Sequence, residues 1–238
     1  MTDKNVSSER RRPYWRGILD VLATIAMLTA ALIMIKSQLW APRAQPAGRS
    51  VSLPKESLSL EGAAVRGVPT AKVGMLMFSD FECPFCARFA RETLPALEKT
   101  FVATGDVQIA FRHLPLQRHS LARKAAEAAQ CAGRQGKFWE LHDYMFVERD
   151  HLKPEAFLDA ARTLGLRRET FEACLAGQAT AEVERDMAEA AKLGITGTPS
   201  FVIGVIDSDK RLLAKKMIGG AAGIDKFAEA IEFARTHR

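Results

Sequence analysis

The chain has no internal repeat, no basic stripe interleaved with aromatics and no pair of histidines at metal-ligand spacing. The first absence excludes solenoids and propellers. The second removes nucleic acid as a partner, although the formal net charge is +6. That excess sits partly around the N-terminal apolar segment, at Lys4, Arg10, Arg11, Arg12 and Arg16 before it and Lys36, Arg43 and Arg49 after it. The third leaves His113, His119, His142, His151 and His237 as structural or solvated side chains. Cysteine is scarce as well. Four are present, an even number compatible with two pairs in an oxidising compartment.

Long apolar runs are equally few. Residues 17–35 alone approach the length of a bilayer span, interrupted by Asp20, Thr24 and Thr29. No cleavage site built on small alternate residues follows, because the next stretch reads Lys36-Ser37-Gln38-Leu39-Trp40-Ala41-Pro42, and Trp40 suits an interface anchor. The expectation is a cytoplasmic tail over 1–16 and an uncleaved transmembrane signal-anchor over 17–39, with a cleaved signal peptide as the rival. Residues 40–66, rich in Pro, Ala and Ser and without periodicity, are expected to be a linker.

The remaining residues, 67–238, are expected to form one globular domain, for which 47% apolar and 26% charged residues in the whole chain are ordinary values. Strand patterns appear at Val73–Phe78 and Val107–Leu114, then at Ser200–Ile206 and Leu212–Ile218. Between the two pairs, over about 118–193, every segment is helical in composition and is punctuated by Gly133, Gly165, Gly177 and Gly194. A last amphipathic helix places Ile224, Phe227, Ala228 and Ile231 on one face. The order strand, helix, strand, helical insertion, strand, strand, helix predicts an α/β fold, a thioredoxin-like sheet with a helical domain inserted between its βαβ and ββα halves.

Cys83-Pro84-Phe85-Cys86 stands where the first strand gives way to a helix. There the unpaired N–H groups and dipole of a helix start favour a thiolate, which is the physical basis of dithiol redox chemistry. Cys83 is expected to be the exposed nucleophile and Cys86, one turn on and facing inward, the resolving thiol. The competing chemistry is half of a zinc site. Tetrahedral zinc needs two more ligands, and neither Cys131 nor Cys174 has a Cys or His neighbour at ligand spacing. No metal and no cofactor are expected.

Four segments in order carry a resemblance: Phe78-Ser79-Asp80-Phe81-Glu82-Cys83-Pro84-Phe85-Cys86; Phe111-Arg112-His113-Leu114-Pro115-Leu116; Ala129-Gln130-Cys131-Ala132 with Gln135-Gly136-Lys137-Phe138-Trp139; and Gly194-Ile195-Thr196-Gly197-Thr198-Pro199-Ser200-Phe201. With these the chain resembles the DsbA family of thioredoxin-fold disulfide oxidoreductases. The resemblance implies a cis Pro199 beside Cys83 and a substrate site at Thr198, Pro199, Pro84 and Phe85, with the Thr198 hydroxyl positioned to donate to the thiolate. Some relatives carry a second disulfide at positions like Cys131 and Cys174; two buried free thiols are the other reading.

Two departures stand out. Phe85 replaces a histidine, so a cationic partner for the thiolate is missing. Met77 occupies the place of a buried acid, leaving Glu82 and Asp80 as the nearest acids in sequence; a charged Glu82 beside Cys83 would raise its pKa. The implied function is a membrane-anchored thiol:disulfide oxidoreductase facing the periplasm or cell exterior (soluble and periplasmic if the leader is cleaved). It would oxidise unfolded exported proteins with cysteine thiols and be reoxidised by a quinone-linked membrane oxidoreductase, DsbB-like or VKOR-like. The alternatives are a reductase or isomerase, or a non-catalytic copper carrier or assembly factor.

Overall fold

The computed structural model describes residues 22–32, 34, 36 and 53–237. The chain divides into two units, 1–48 and 49–238. In the first, residues 22–32 are helical, and Leu22, Ile25, Met27, Leu28 and Leu32 are exposed apolar side chains. Among the described residues no helix is long and apolar enough to cross a membrane. The expected tail, and parts of the expected 17–39 span and of the linker, lie outside the described residues.

The second unit is built on a six-stranded sheet. Its strands are β1 (Leu58–Ser59), β2 (Ala64–Arg66), β3 (Val73–Ser79), β4 (Val107–His113), β5 (Ser200–Ile206) and β6 (Arg211–Gly219), in the spatial order β1-β6-β5-β3-β4-β2. Only the β3–β4 pair is parallel. Two strands therefore lie inside the stretch expected to be linker, and the domain starts before residue 67. Their two and three residues are too few to show an alternation, so tertiary pairing rather than local pattern makes them strands.

Every residue of β3 is buried, as expected of a central strand covered on both faces. Successive side chains serve different cores. Val73, Met75 and Met77 join the larger one with Ile109, Phe111, Phe201 and Ile203, while Leu76 and Phe78 join Ala110 and Val202 in the smaller. Gly204 is required: a Cβ there would lie 2.0 Å from the Leu213 carbonyl oxygen, at the register shift between β5 and β6.

Helical chain runs from Pro84 to Val102, as α1 (Pro84–Arg88), a π turn, α2 (Leu94–Leu97) and a second π turn. Pro95 has no N–H to give the preceding turn, and the Leu94 N–H reaches back to the Phe89 carbonyl. The insertion consists of α3 (Ala122–Gly133), α4 (Phe138–Val147), α5 (Pro154–Thr163), α6 (Arg168–Ala173) and α7 (Thr180–Lys192); α8 (Ile224–Thr236) closes the chain.

Arg112 ties the insertion to the sheet. Its buried guanidinium donates to the carbonyls of Ser59 (2.8 Å) and Glu61 (3.0 Å) and faces Glu189 (2.9 Å) and Asp186 (3.4 Å) on α7. Asp186 in turn accepts the His113 N–H at 3.0 Å.

Candidate active site

Phe81 fixes the chain between β3 and α1. Its ring is fully buried against Phe111 (5.6 Å between centroids), Phe146 (5.1 Å) and His142 (5.9 Å), so the short loop after β3 is held by the core of the insertion. Asp80, with a fully buried side chain, shapes the loop from within. One carboxylate oxygen accepts the Glu82 N–H (2.8 Å); the other accepts the Leu116 N–H (2.8 Å) and lies 2.7 Å from His119 Nδ1. Glu82 accepts the Leu121 N–H at 2.6 Å, just ahead of α3. The two acids are thus bound to backbone groups. Neither is without a partner, although their place in the sequence is equally that of solvated loop acids.

Cys83 is extended backbone at the N-cap of α1, and Pro84 occupies the first turn, where a missing N–H costs nothing. The Cys83 thiol donates to the carbonyl of Thr198 at 3.4 Å, and the Thr198–Pro199 peptide is cis. Its pKa is lowered to about 5. The largest cause is the hydrogen bond from Cys86; burial opposes it, and the Thr198 side chain and the N–H groups of Cys86 and Phe85 add to the lowering. The Thr198 hydroxyl is buried and has no other partner.

Cys86 moves the opposite way. Burial raises its pKa first, and the neighbouring Cys83 sulfur raises it further, against smaller opposing contributions from Ser79 and the Asp80 backbone. The two free thiols are therefore chemically unequal, one favouring the thiolate and the other the neutral form.

One expectation needs correction. Cys83 has 0% of its surface exposed, whereas Pro84 and Phe85 (52%) are on the outside. The carbonyl of Thr198, at the cis peptide, lies against the sulfur, so the Cys83 thiol is buried while its neighbours Pro84 and Phe85 are exposed. Arg88 lies over the Phe85 ring at 5.3 Å.

Away from the dithiol, Cys131 on α3 and Cys174 after α6 are joined, with sulfurs 2.00 Å apart and Cα atoms 5.7 Å apart. Among the described residues no group of three or more His, Cys, Asp or Glu side chains is arranged to hold a metal ion. Sequence reasoning missed Arg149, which follows α4 and donates to the Glu82 carbonyl at 3.0 Å. It also missed Ser79 as the neighbour of Cys86. Ser79 was readable as part of the strand end before the motif; nothing in the sequence pointed to Arg149.

A family model described as thioredoxin matches residues 59–216. Among curated relatives, a protein named Na(+)/H(+) antiporter NhaA 3 of Salinispora tropica is 37% identical over 141 residues, 58% of this chain and 21% of that protein. Na(+)/H(+) antiporter NhaA of Herminiimonas arsenicoxydans is 30% identical over 188 residues, 79% of this chain and 29% of its own. The chain thus spans less than a third of the length of these relatives. Among solved structures, oxidised BdbD from Bacillus subtilis matches with a TM-score of 0.66 and 25% identity, covering 76% of this chain and 97% of that one. The α-DsbA1 of Wolbachia pipientis (TM-score 0.67, 24% identity, 75% and 94% covered) shares the fold, as does DsbA2 of Pseudomonas aeruginosa (0.56, 26%, 76% and 95%).

Proposed function

Because the chain belongs to the thioredoxin family and has a DsbA-like fold, we propose that Cys83 and Cys86 form a redox pair that introduces disulfides into exported proteins. The observation that carries this reading is the inequality of the two thiols beside the cis Thr198–Pro199 peptide. A substrate thiolate attacks the Cys83 sulfur of the oxidised pair. The Cys83–Cys86 bond breaks, and Cys86 takes up the electron pair and then a proton, as its buried, raised-pKa thiol favours. A second substrate thiolate attacks the substrate sulfur of the mixed disulfide, and Cys83 leaves as a thiolate. Two electrons pass from the substrate dithiol to the pair. A low leaving-group pKa at Cys83 speeds the second step and stabilises the reduced enzyme, which makes the oxidised enzyme a better oxidant.

Cys83 and Cys86 are the catalytic residues of this reading. Thr198, Pro199, Pro84 and Phe85 form its substrate-binding edge, with the exposed Phe85 ring offered to an unfolded chain. A quinone-linked membrane oxidoreductase, DsbB-like or VKOR-like, accepts the electrons. The 17–39 segment anchors the domain on the outer side of the membrane; the relatives named for membrane antiporters, of which the matched stretch is a minor part, support a setting at a membrane. Resistance to alkaline extraction from membranes checks the anchor, and release into the soluble fraction counts against it.

The deciding experiment equilibrates the Cys83–Cys86 pair with glutathione and measures oxidation of a reduced dithiol peptide. The expected potential is more oxidising than about −230 mV, with peptide oxidation dominant. A potential near thioredoxin's, about −270 mV, with disulfide reduction dominant, assigns the domain to a reductase instead.

A further inference from the structure

We propose that Arg149 is the positioning residue of the dithiol and supplies the positive charge that Phe85 does not. The proposal rests on the redox reading of Cys83 and Cys86. Arg149 comes from the turn after α4, within the insertion, yet one guanidinium nitrogen donates to the carbonyl of Glu82 at 3.0 Å. That carbonyl belongs to the peptide that leads into Cys83, so covalent geometry alone puts the cation within about 8 Å of the sulfur.

The other features of the site make this charge count. Asp80 and Glu82, the acids closest in sequence, are spent on the N–H groups of Glu82, Leu116 and Leu121. Arg149 Nε is buried without a partner, so the guanidinium is drawn partly out of water toward the loop rather than extended into solvent. Its carboxylate partner is Asp150, whose side chain is 68% exposed and well hydrated, which weakens its neutralising effect. A cation held at the Glu82 peptide favours the thiolate form of Cys83 and, through it, the reduced pair. The same bond ties the loop to the turn after α4, so the insertion contributes directly to the reacting end of the sheet.

Three variants separate charge from anchoring. Arg149→Gln keeps a donor for the carbonyl and removes the charge, Arg149→Lys keeps the charge, and Arg149→Met removes both. The measurements are the Cys83 thiolate titration at 240 nm, the equilibrium constant with glutathione, and the melting temperature of each variant. The expected result is a rise of about one pKa unit in Arg149→Gln and Arg149→Met, with the equilibrium moving toward the disulfide about 3–10-fold, and near-native values in Arg149→Lys. If Arg149→Gln leaves the titration within about 0.2 unit of the native protein, the proposal is overturned. Melting temperatures that fall while the titration stays put assign Arg149 a structural role only, which also overturns it. Neither readout depends on the direction in which the domain works on substrates, so the proposal and the oxidase assignment fail separately.

Discussion

Cys83 and Cys86 are three residues apart, and their chemical difference comes from surroundings that the motif does not contain. The Cys-Pro-Phe-Cys spacing placed both at a helix start. Helix-start N–H groups and the Thr198 hydroxyl were expected as donors, whereas the Cys86 thiol as the largest cause came only with the fold; all of them act on one sulfur. The first expectation at this scale follows from the pKa of about 5 for Cys83. It lies below the ordinary thiol value, so the thiolate persists down to mildly acidic pH. Alkylation of the reduced protein by iodoacetamide is expected to level off above about pH 6 and to fall tenfold per unit well below pH 5. A rate still rising between pH 7 and 9 would show an unperturbed thiol. Sign and window agree: a depressed thiol pKa stabilises the folded reduced state at high pH and loses that contribution as pH falls through about 5. Phe85 was legible as the missing histidine. Arg149 was not, because a cation delivered from a distant turn leaves no trace in local spacing.

At the level of elements, the four long strands and the insertion were readable because their signals are local. Val73–Ser79 is a continuous apolar run, and the helices of the insertion carry glycine stops and amphipathic spacing. β1 and β2 escaped because edge strands of two or three residues are created by their neighbours. The Cys131–Cys174 link was expected through the resemblance and is present, although four cysteines allow three pairings and spacing alone does not choose among them. In the fold the link fastens α3 to the chain after α6 across a separation of 43 residues. The chain-entropy cost of a loop of that size gives an expected loss of about 4 kcal/mol when both cysteines become alanine. Urea unfolding of Cys131→Ala/Cys174→Ala should show a lower midpoint, while the glutathione equilibrium of Cys83–Cys86 stays native. A changed equilibrium would mean that the link also tunes the active site, contrary to its distance in the chain from the dithiol.

Stability of the whole domain against acid rests on imidazoles that the sequence suggested were structural and that the fold places in its aromatic core. His113 and His142 are buried among Phe81, Phe111 and Phe138, and burial lowers the pKa of both, that of His113 to about 3. Below about pH 6.5 the unfolded chain protonates these rings more readily than the folded domain does, so the unfolded state binds more protons and stability falls as pH falls. Each such ring contributes a slope of about 1.4 kcal/mol per pH unit between its two pKa values. Asp186 works in the other sense. Burial raises its pKa to about 6, so between the ordinary carboxylate range and pH 6 the folded domain keeps a proton that the unfolded chain has lost. Between pH 4 and 6 the folded domain binds about one proton fewer than the unfolded chain at His113 and one more at Asp186, so in the oxidised protein, where Cys83 does not titrate, these two oppose each other and His142 acts in the direction of His113. His113→Gln removes one imidazole and leaves the backbone N–H that Asp186 accepts. Its urea stability is expected to be lower at neutral pH, and its rise with pH across this window to be smaller than the native protein's by about 1.4 kcal/mol per pH unit. A slope equal to that of the native protein would mean that His113 takes up its proton in the folded state, and the aromatic core would then have to open to water before the domain unfolds.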